Sequence, residues 1–154
     1  MKINIDTITR ASKELIGNII RTPTIRSQHL SSEINGEVFL KLENLQYTSS
    51  FKVRGAYTSI TRLKEEQKKM GVIAMSAGNH AQAVAWWAKK ERVNATIVMP
   101  EHAPLFKVMK TKSLGADVIL RGRTLNESQT YVSELVNEKK LTLIHPYDDS
   151  NVII

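Results

Sequence analysis

Four short apolar runs, VIAM at 72–75, ATIVM at 95–99, DVIL at 117–120 and LTLI at 141–144, recur along the second half of the chain. Each gap between them holds a segment of helical length. This rhythm constrains the fold more than any other feature of the sequence. Strands of four or five apolar residues are buried on both faces, and parallel strands need long crossovers between them. The sequence therefore predicts an α/β fold, a parallel sheet with helices on both faces, over residues 71–145. Residues 79–90 place Ala81, Val84, Ala85 and Ala88 on one helical face. Pro104 opens the next helix and Gly115 closes it. TLNE at 124–127 reads as a capping box, Thr124 facing Glu127, for a helix to Lys139.

Upstream, DTITRASKELIGNIIRTP predicts a helix with Ile8, Leu15, Ile16, Ile19 and Ile20 on one face, capped by Asp6 or Thr7 and stopped by Pro23. EVFLKLE at 37–43 alternates as a strand does. A further helix is expected from Phe51 to Lys69, with Val53, Ala56, Tyr57, Ile60 and Leu63 at helical spacing. Residues 1–50 do not obviously belong to the four-stranded unit. The final DDSNVII stops on apolar residues with no turn or polar tail, and so reads as interrupted.

Composition narrows the function. With 154 residues, 42% of them hydrophobic, the chain can bury one core. No apolar run approaches the ~18 residues that span a bilayer. The start shows no secretory signal. The absence of cysteine excludes disulfides, thiolate metal sites and a cysteine nucleophile. A cytoplasmic protein without a membrane partner is the expectation. The net charge of +7 raises the question of nucleic acid, but the cations are scattered through LKEEQKK, WAKKERVN and NEKKLTL at helix ends. There they suit the helix dipole and water, so a solvated surface is the better reading. The four histidines (His29, His80, His102, His145) lack metal-ligand spacing. The seven glycines stand at least seven residues apart, which excludes a Gly-rich phosphate cradle within this sequence.

Two stretches remain for chemistry. MSAGNHAQ at 75–82 follows a strand and opens a helix, the place where open α/β sheets bind ligands. Gly78 admits a close backbone approach, the free N–H groups of the helix start attract a carboxylate or phosphate, and Ser76, Asn79 and His80 add polar side chains. Simple helix capping by Ser76 and Asn79 explains the same residues. The second stretch is SSFKVRGA, where Lys52 lies off the apolar stripe of its helix. Arg54 stands nearby, and a neighbouring cation favours the uncharged, nucleophilic form of an amine. Thr48, Ser49 and Ser50 offer hydroxyls for an anionic ligand. A surface lysine remains the alternative. The paired acids of HPYDDS read as a turn, and of the adjacent Trp86 and Trp87 one is expected to pack and the other to be partly exposed.

KLENLQYTSSFKVRGA (41–56) resembles the segment around the Schiff-base lysine of the fold-type-II pyridoxal-phosphate enzymes, in their threonine/serine dehydratase and serine racemase group. SAGNHAQAVA, ATIVMPEHAP, KSLGADVIL and HPYDDSNVI match further family segments in the same order, so the likeness covers essentially the whole chain. The resemblance implies a tryptophan-synthase-β-like fold and pyridoxal 5'-phosphate as cofactor. It implies that Lys52 carries the cofactor and acts as catalytic base, that Phe51 packs near its ring, and that Asn79 bonds its 3-hydroxyl. Ser76, Ala77, Gly78, Asn79 and His80 would hold the carboxylate of a small amino-acid substrate. No metal is implied. The implied reaction is deamination of threonine to 2-oxobutanoate, or of serine to pyruvate, with release of ammonia.

The sequence departs from the family in two places near the cofactor. Ser49 and Ala83 stand where the family has glycine, and Ser49 would crowd its loop if φ is positive there. In family terms residues 1–70 are the opening of the larger domain, including the lysine segment, 71–145 are the smaller domain, and 146–154 begin the return into the larger one. The family continues with Gly-Gln-Gly-Thr where this sequence stops. The expectation is accordingly a truncated member with little activity of its own. The alternative is an inactive remnant that folds in part, or pairs through exposed apolar surface with a copy of itself or a longer homologue.

Overall fold

The structure is a computed structural model and describes residues 2–154. The chain opens with α1 (Ile5–Glu14), β1 (Thr24–Arg26), α2 (Gln28–Glu33) and β2 (Phe39–Lys41). These are followed by α3 (Lys52–Thr61), α4 (Glu65–Met70), β3 (Val72–Met75), α5 (Asn79–Lys90) and β4 (Ala95–Met99). The remainder is α6 (Leu105–Ser113), β5 (Asp117–Leu120), α7 (Leu125–Lys139), β6 (Thr142–Leu143) and α8 (Ser150–Ile153). The expected fold class is present: β3 to β6 form a four-stranded sheet in the order β5-β4-β3-β6, and every pair in it is parallel.

Alternation along the strands builds a core on each side of this sheet. Val72, Ala74, Ile97 and Met99 face α5, where they meet Ala81, Val84, Ala85 and Ala88, and Val53, Ala56 and Ile60 of α3 complete the same core. Ile73 and Val98 face the other way and pack on Val132 and Leu135 of α7. At ~1.5–3 kcal/mol for each large aliphatic side chain taken fully out of water, these two layers dominate the stability. Trp87 is buried and donates its indole N–H to Val53 O at 2.8 Å, fastening α5 to the start of α3. Trp86 is half-buried, as the reading of the tryptophan pair expected, and stacks on Tyr47.

The first helix is shorter than expected: it ends at Glu14 rather than running to Pro23, and the chain turns through Gly17 at φ 80°. Asn4, rather than Asp6 or Thr7, caps α1, and Thr7 answers it from within the first turn. The Thr124 hydroxyl accepts from Glu127 N as expected, but the Glu127 carboxylate reaches Arg123 N instead of Thr124 N. The helix expected from Phe51 to Lys69 is two helices. The Thr61 hydroxyl donates back to Tyr57 O at 2.8 Å, and Lys64 takes extended backbone with its N–H donating to the Gln67 side chain, which starts α4.

The first fifty residues lie differently from the sheet. The apolar stripe expected of the first helix is only partly covered: Leu15 just past α1 is buried, whereas Ile8 is exposed and Ile16 is 78% exposed. β1 and β2 pair antiparallel, Ile25 opposite Leu40, and every residue of both strands is exposed. Two polar clamps hold this part in place. Gln46 accepts from Ile20 N and donates to Ile20 O, both at 2.9 Å. Glu43 receives a bidentate pair from Arg54 at 2.8 and 2.9 Å.

Candidate active site

Adjacent parallel strands β3 and β6 send their chains in different directions at their carboxyl ends. β3 turns through residues 76–78 into α5, while β6 runs on through residues 144–146 toward α8. A crevice at such a divergence is where α/β sheets place ligands. The start of α3 meets it from the side. The Lys52 amine donates to Pro146 O at 2.8 Å, across 94 residues of sequence, and stands 5.1 Å from the centre of the Phe51 ring. Lys52 is half-buried, while Phe51 is 58% exposed beside it. Its own backbone N–H is met by the Ser50 hydroxyl at 3.3 Å.

Lys52 and Phe51 line one end of a cleft of about 530 Å³, whose walls include Gly55, Pro146, Tyr147 and Val152. A cleft of this size falls within the usual range for small-molecule sites, ~300–1,000 Å³. The far wall is α8, seated on α3 at Gly55. A Cβ on Gly55 would lie 2.5 Å from Val152 O, so only glycine permits this approach. The Thr58 hydroxyl donates to Asn151 O, and the Ser59 hydroxyl to Asp149 Oδ2 at 3.3 Å. The acid pair read as a turn is thus also a cap, because Asp149 Oδ1 accepts from Asn151 N at the start of α8.

Residues 76–80 lead from the carboxyl end of β3 into α5 and do not line that cleft. The Ser76 hydroxyl accepts from Gly78 N at 3.1 Å, which tightens the turn. Space opens beside Gly78, where a Cβ would meet nothing within 4 Å. The first N–H groups of α5 have no intrahelical acceptor and face this opening. The Asn79 side chain is exposed and makes no hydrogen bond among the described residues. His80 is placed otherwise than its expected role at the ligand. Its ring is 4% exposed and points inward, with Nε2 at 2.8 Å from Ile144 O. Burial holds this imidazole well below its usual range, at about 4, so it is neutral at pH 7. Nδ1 has no partner.

Arg54 also differs from expectation. Rather than facing the Lys52 amine, its guanidinium is spent on Glu43, which the Arg54 hydrogen bonds hold at about 2. Of the three hydroxyls before Phe51, Ser50 turns to Lys52 N, and Thr48 is buried with Oγ1 unpartnered. Ser49 has φ 57°, the left-handed conformation that a serine adopts at a cost and glycine without one.

These residues fit the amine and ring end of pyridoxal phosphate. A half-buried primary amine stands beside an exposed aromatic face, and an unpartnered amide and a helix start stand at the carboxyl end of β3. Two features of this geometry escaped sequence reasoning: the Pro146 acceptor for Lys52, and the inward turn of His80. The apolar run LTLI into HPY gave the only signal, since a backbone leaving a sheet edge must find partners for its carbonyls.

The chain is similar to known proteins over almost its whole length. Residues 15–154 match the family described as pyridoxal-phosphate dependent enzyme. The chain is 51% identical over 152 residues to the catabolic L-threonine dehydratase TdcB of Staphylococcus aureus strain USA300, covering 98% of this chain and 44% of that protein. Maize serine racemase superposes with a TM-score of 0.92 at 33% identity, over 99% of this chain and 46% of its own. The processed form of threonine deaminase isoform 2 from Solanum lycopersicum gives 0.86 at 35% identity, over 99% and 44%. The chain thus spans under half the length of the relatives it matches. It belongs to the pyridoxal-phosphate dependent enzyme family.

Proposed function

We propose that this chain carries the lysine and substrate-carboxylate half of a pyridoxal-phosphate dependent site that deaminates threonine or serine. The observation that supports the reading is the Lys52 amine held at Pro146 O, on the segment that also fastens the start of α5 through His80. In this reading Lys52 carries the cofactor, Phe51 covers one face of its ring, and the Asn79 amide bonds its 3-hydroxyl. The backbone N–H groups of residues 76–80 hold the substrate carboxylate. When bound, the cofactor supplies an electron sink for the pair left on Cα. The Lys52 amine, freed as the substrate amine takes its place, takes the Cα proton, and the β-hydroxyl leaves with a proton as water. Water returned at the α-carbon then expels ammonia, so threonine gives 2-oxobutanoate and serine gives pyruvate.

The division of the chain at residues 70 and 145 is part of this proposal, with α3 as the element shared between the two parts because Val53, Ala56 and Ile60 enter the core of the sheet. No glycine-rich cradle for the cofactor phosphate occurs within these 154 residues, so slow turnover by the chain alone is expected. A second reading, an inactive chain that pairs with a copy of itself or a longer relative, is favoured by the exposed Ile5, Ile16 and Phe39. The deciding experiment incubates the purified chain with pyridoxal phosphate, reduces it with borohydride and maps the label by peptide mass. Label concentrated on Lys52, with 2-oxobutanoate formation that Lys52→Ala abolishes, supports the first reading. Label scattered over surface lysines refutes it.

A further inference from the structure

We propose that His80 is a positioning residue for Lys52: by donating from Nε2 to Ile144 O, it fixes the short segment whose next exposed acceptor, the Pro146 carbonyl, holds the lysine amine. The inference deepens the proposed site and rests on Lys52 being the cofactor lysine. The strap starts at the end of β6. That strand has only two residues, and its ladder to β3 ends with Ile144 N donating to Ile73 O at 2.9 Å. Beyond this bond the backbone leaves the sheet. Its first free carbonyl, Ile144 O, is taken by His80 from the first turn of α5. A carbonyl only accepts, so Nε2 carries the proton and His80 is the Nε2–H tautomer.

The other side of the same segment is braced by His145, whose Nδ1 accepts from Asp148 N at 2.8 Å and Tyr147 N at 3.4 Å. Residue 146 is thereby fixed from within and from without, and as a proline it contributes a carbonyl and no N–H. Lys52 meets that carbonyl. The start of α3 and the start of α5 are thus tied to one three-residue strap, which sets the lysine against the carboxylate-binding turn. A purely space-filling role does not explain His80. A buried imidazole with an unpartnered Nδ1 is a poorer filler than leucine, unless the bond from Nε2 is the gain.

The test compares the parent chain with His80→Gln, whose amide can donate to Ile144 O, and His80→Leu, which fills the space without donating. Each is incubated with limiting pyridoxal phosphate at pH 7 and reduced with borohydride, and the Lys52 label is divided by the mean label on surface lysines. The inference expects that ratio to fall about fivefold or more in His80→Leu, the change that loss of one net hydrogen bond allows, and to recover in His80→Gln. Equal ratios in all three chains overturn the inference while leaving the reading of Lys52 intact. No preference for Lys52 in the parent overturns that reading, and the inference with it. Should His80→Leu fail to fold, the parent still decides: nitrogen-15 imidazole spectra must show His80 as the neutral Nε2–H tautomer, and the Nδ1–H tautomer overturns the proposal.

Discussion

Gly55→Ala sets two effects of known size against each other. Gly55 lies inside α3, where replacing glycine by alanine normally stabilises a helix by ~1 kcal/mol. Here the new Cβ would stand 2.5 Å from Val152 O and 2.9 Å from Val152 Cγ1. The first of these is backbone and cannot swing aside, so α8 must leave α3. Its departure removes the bonds from Thr58 to Asn151 O and from Ser59 to Asp149, at ~1 kcal/mol net for each. It also exposes the half-buried Val152, at ~1 kcal/mol for partial burial. The balance is a loss of about 2 kcal/mol, or roughly 4–8 °C in Tm for a domain of this size. Hydrogen exchange locates the damage. The amides of Val152 and Ile153, now bonded to Asp149 O at 3.0 and 2.9 Å, should exchange freely in the variant while those of β3 and β4 stay protected. A variant that melts higher than the parent and keeps the Val152 and Ile153 amides protected would refute the close approach.

Three further outcomes follow from single side chains. The His80 pKa of about 4 lies below the unfolded value of 6.5, so the unfolded chain binds the proton first as pH falls. His80 therefore contributes stability that is complete above pH 6.5 and lost by pH 4, roughly 3 kcal/mol over the window, and urea titrations of His80→Leu should lack that slope. Ser49→Gly relieves a left-handed serine and should raise stability by about 0.5–1 kcal/mol after the entropy cost of glycine, and a lower Tm would contradict the φ of 57°. Lys90 stands 4.8–5.2 Å from the rings of Trp86, Trp87 and Tyr47, so Lys90→Met should lose ~0.5–1 kcal/mol in urea melts while Lys90→Arg keeps it.

The parts of this fold that sequence discloses are those decided within a few residues. Strand and helix alternation over residues 71–145 needs only the apolar period, and the four parallel strands stand where that period puts them. Caps such as Thr124 are local too, and the deviation at Glu127 is a shift of one acceptor. Legibility fades where the decision depends on something distant. Ile8 and Ile16 keep the helical period of a packed stripe, yet the described chain covers Ile8 only in part and leaves Ile16 78% exposed. β1 is three residues long, too short to show any period, and exists because β2 pairs with it.

The candidate site divides along the same line. That Lys52 and residues 76–80 carry chemistry could be argued from residue types, a strand end and a helix start. What orients them could not, because each orienting bond joins residues far apart in sequence: Lys52 to Pro146, His80 to Ile144, Arg54 to Glu43. Arg54 is the instructive case. Two positions from Lys52, it looked like a cation acting on the amine, but a helix sends residues i and i+2 to different faces, and a carboxylate from the 43–45 turn was waiting on the other side. His80 makes the same point in reverse, since its position in a strand-to-helix turn suggested an outward ring and the bare Ile144 carbonyl drew it in. A buried backbone carbonyl that leaves a sheet edge must be satisfied, and the nearest donor is committed to it before any ligand arrives. Near the divergence of two parallel strands, a polar side chain in the first turn of a helix is therefore best assigned first to the backbone of the departing strand, and to the ligand only if that strand has no carbonyl to spare.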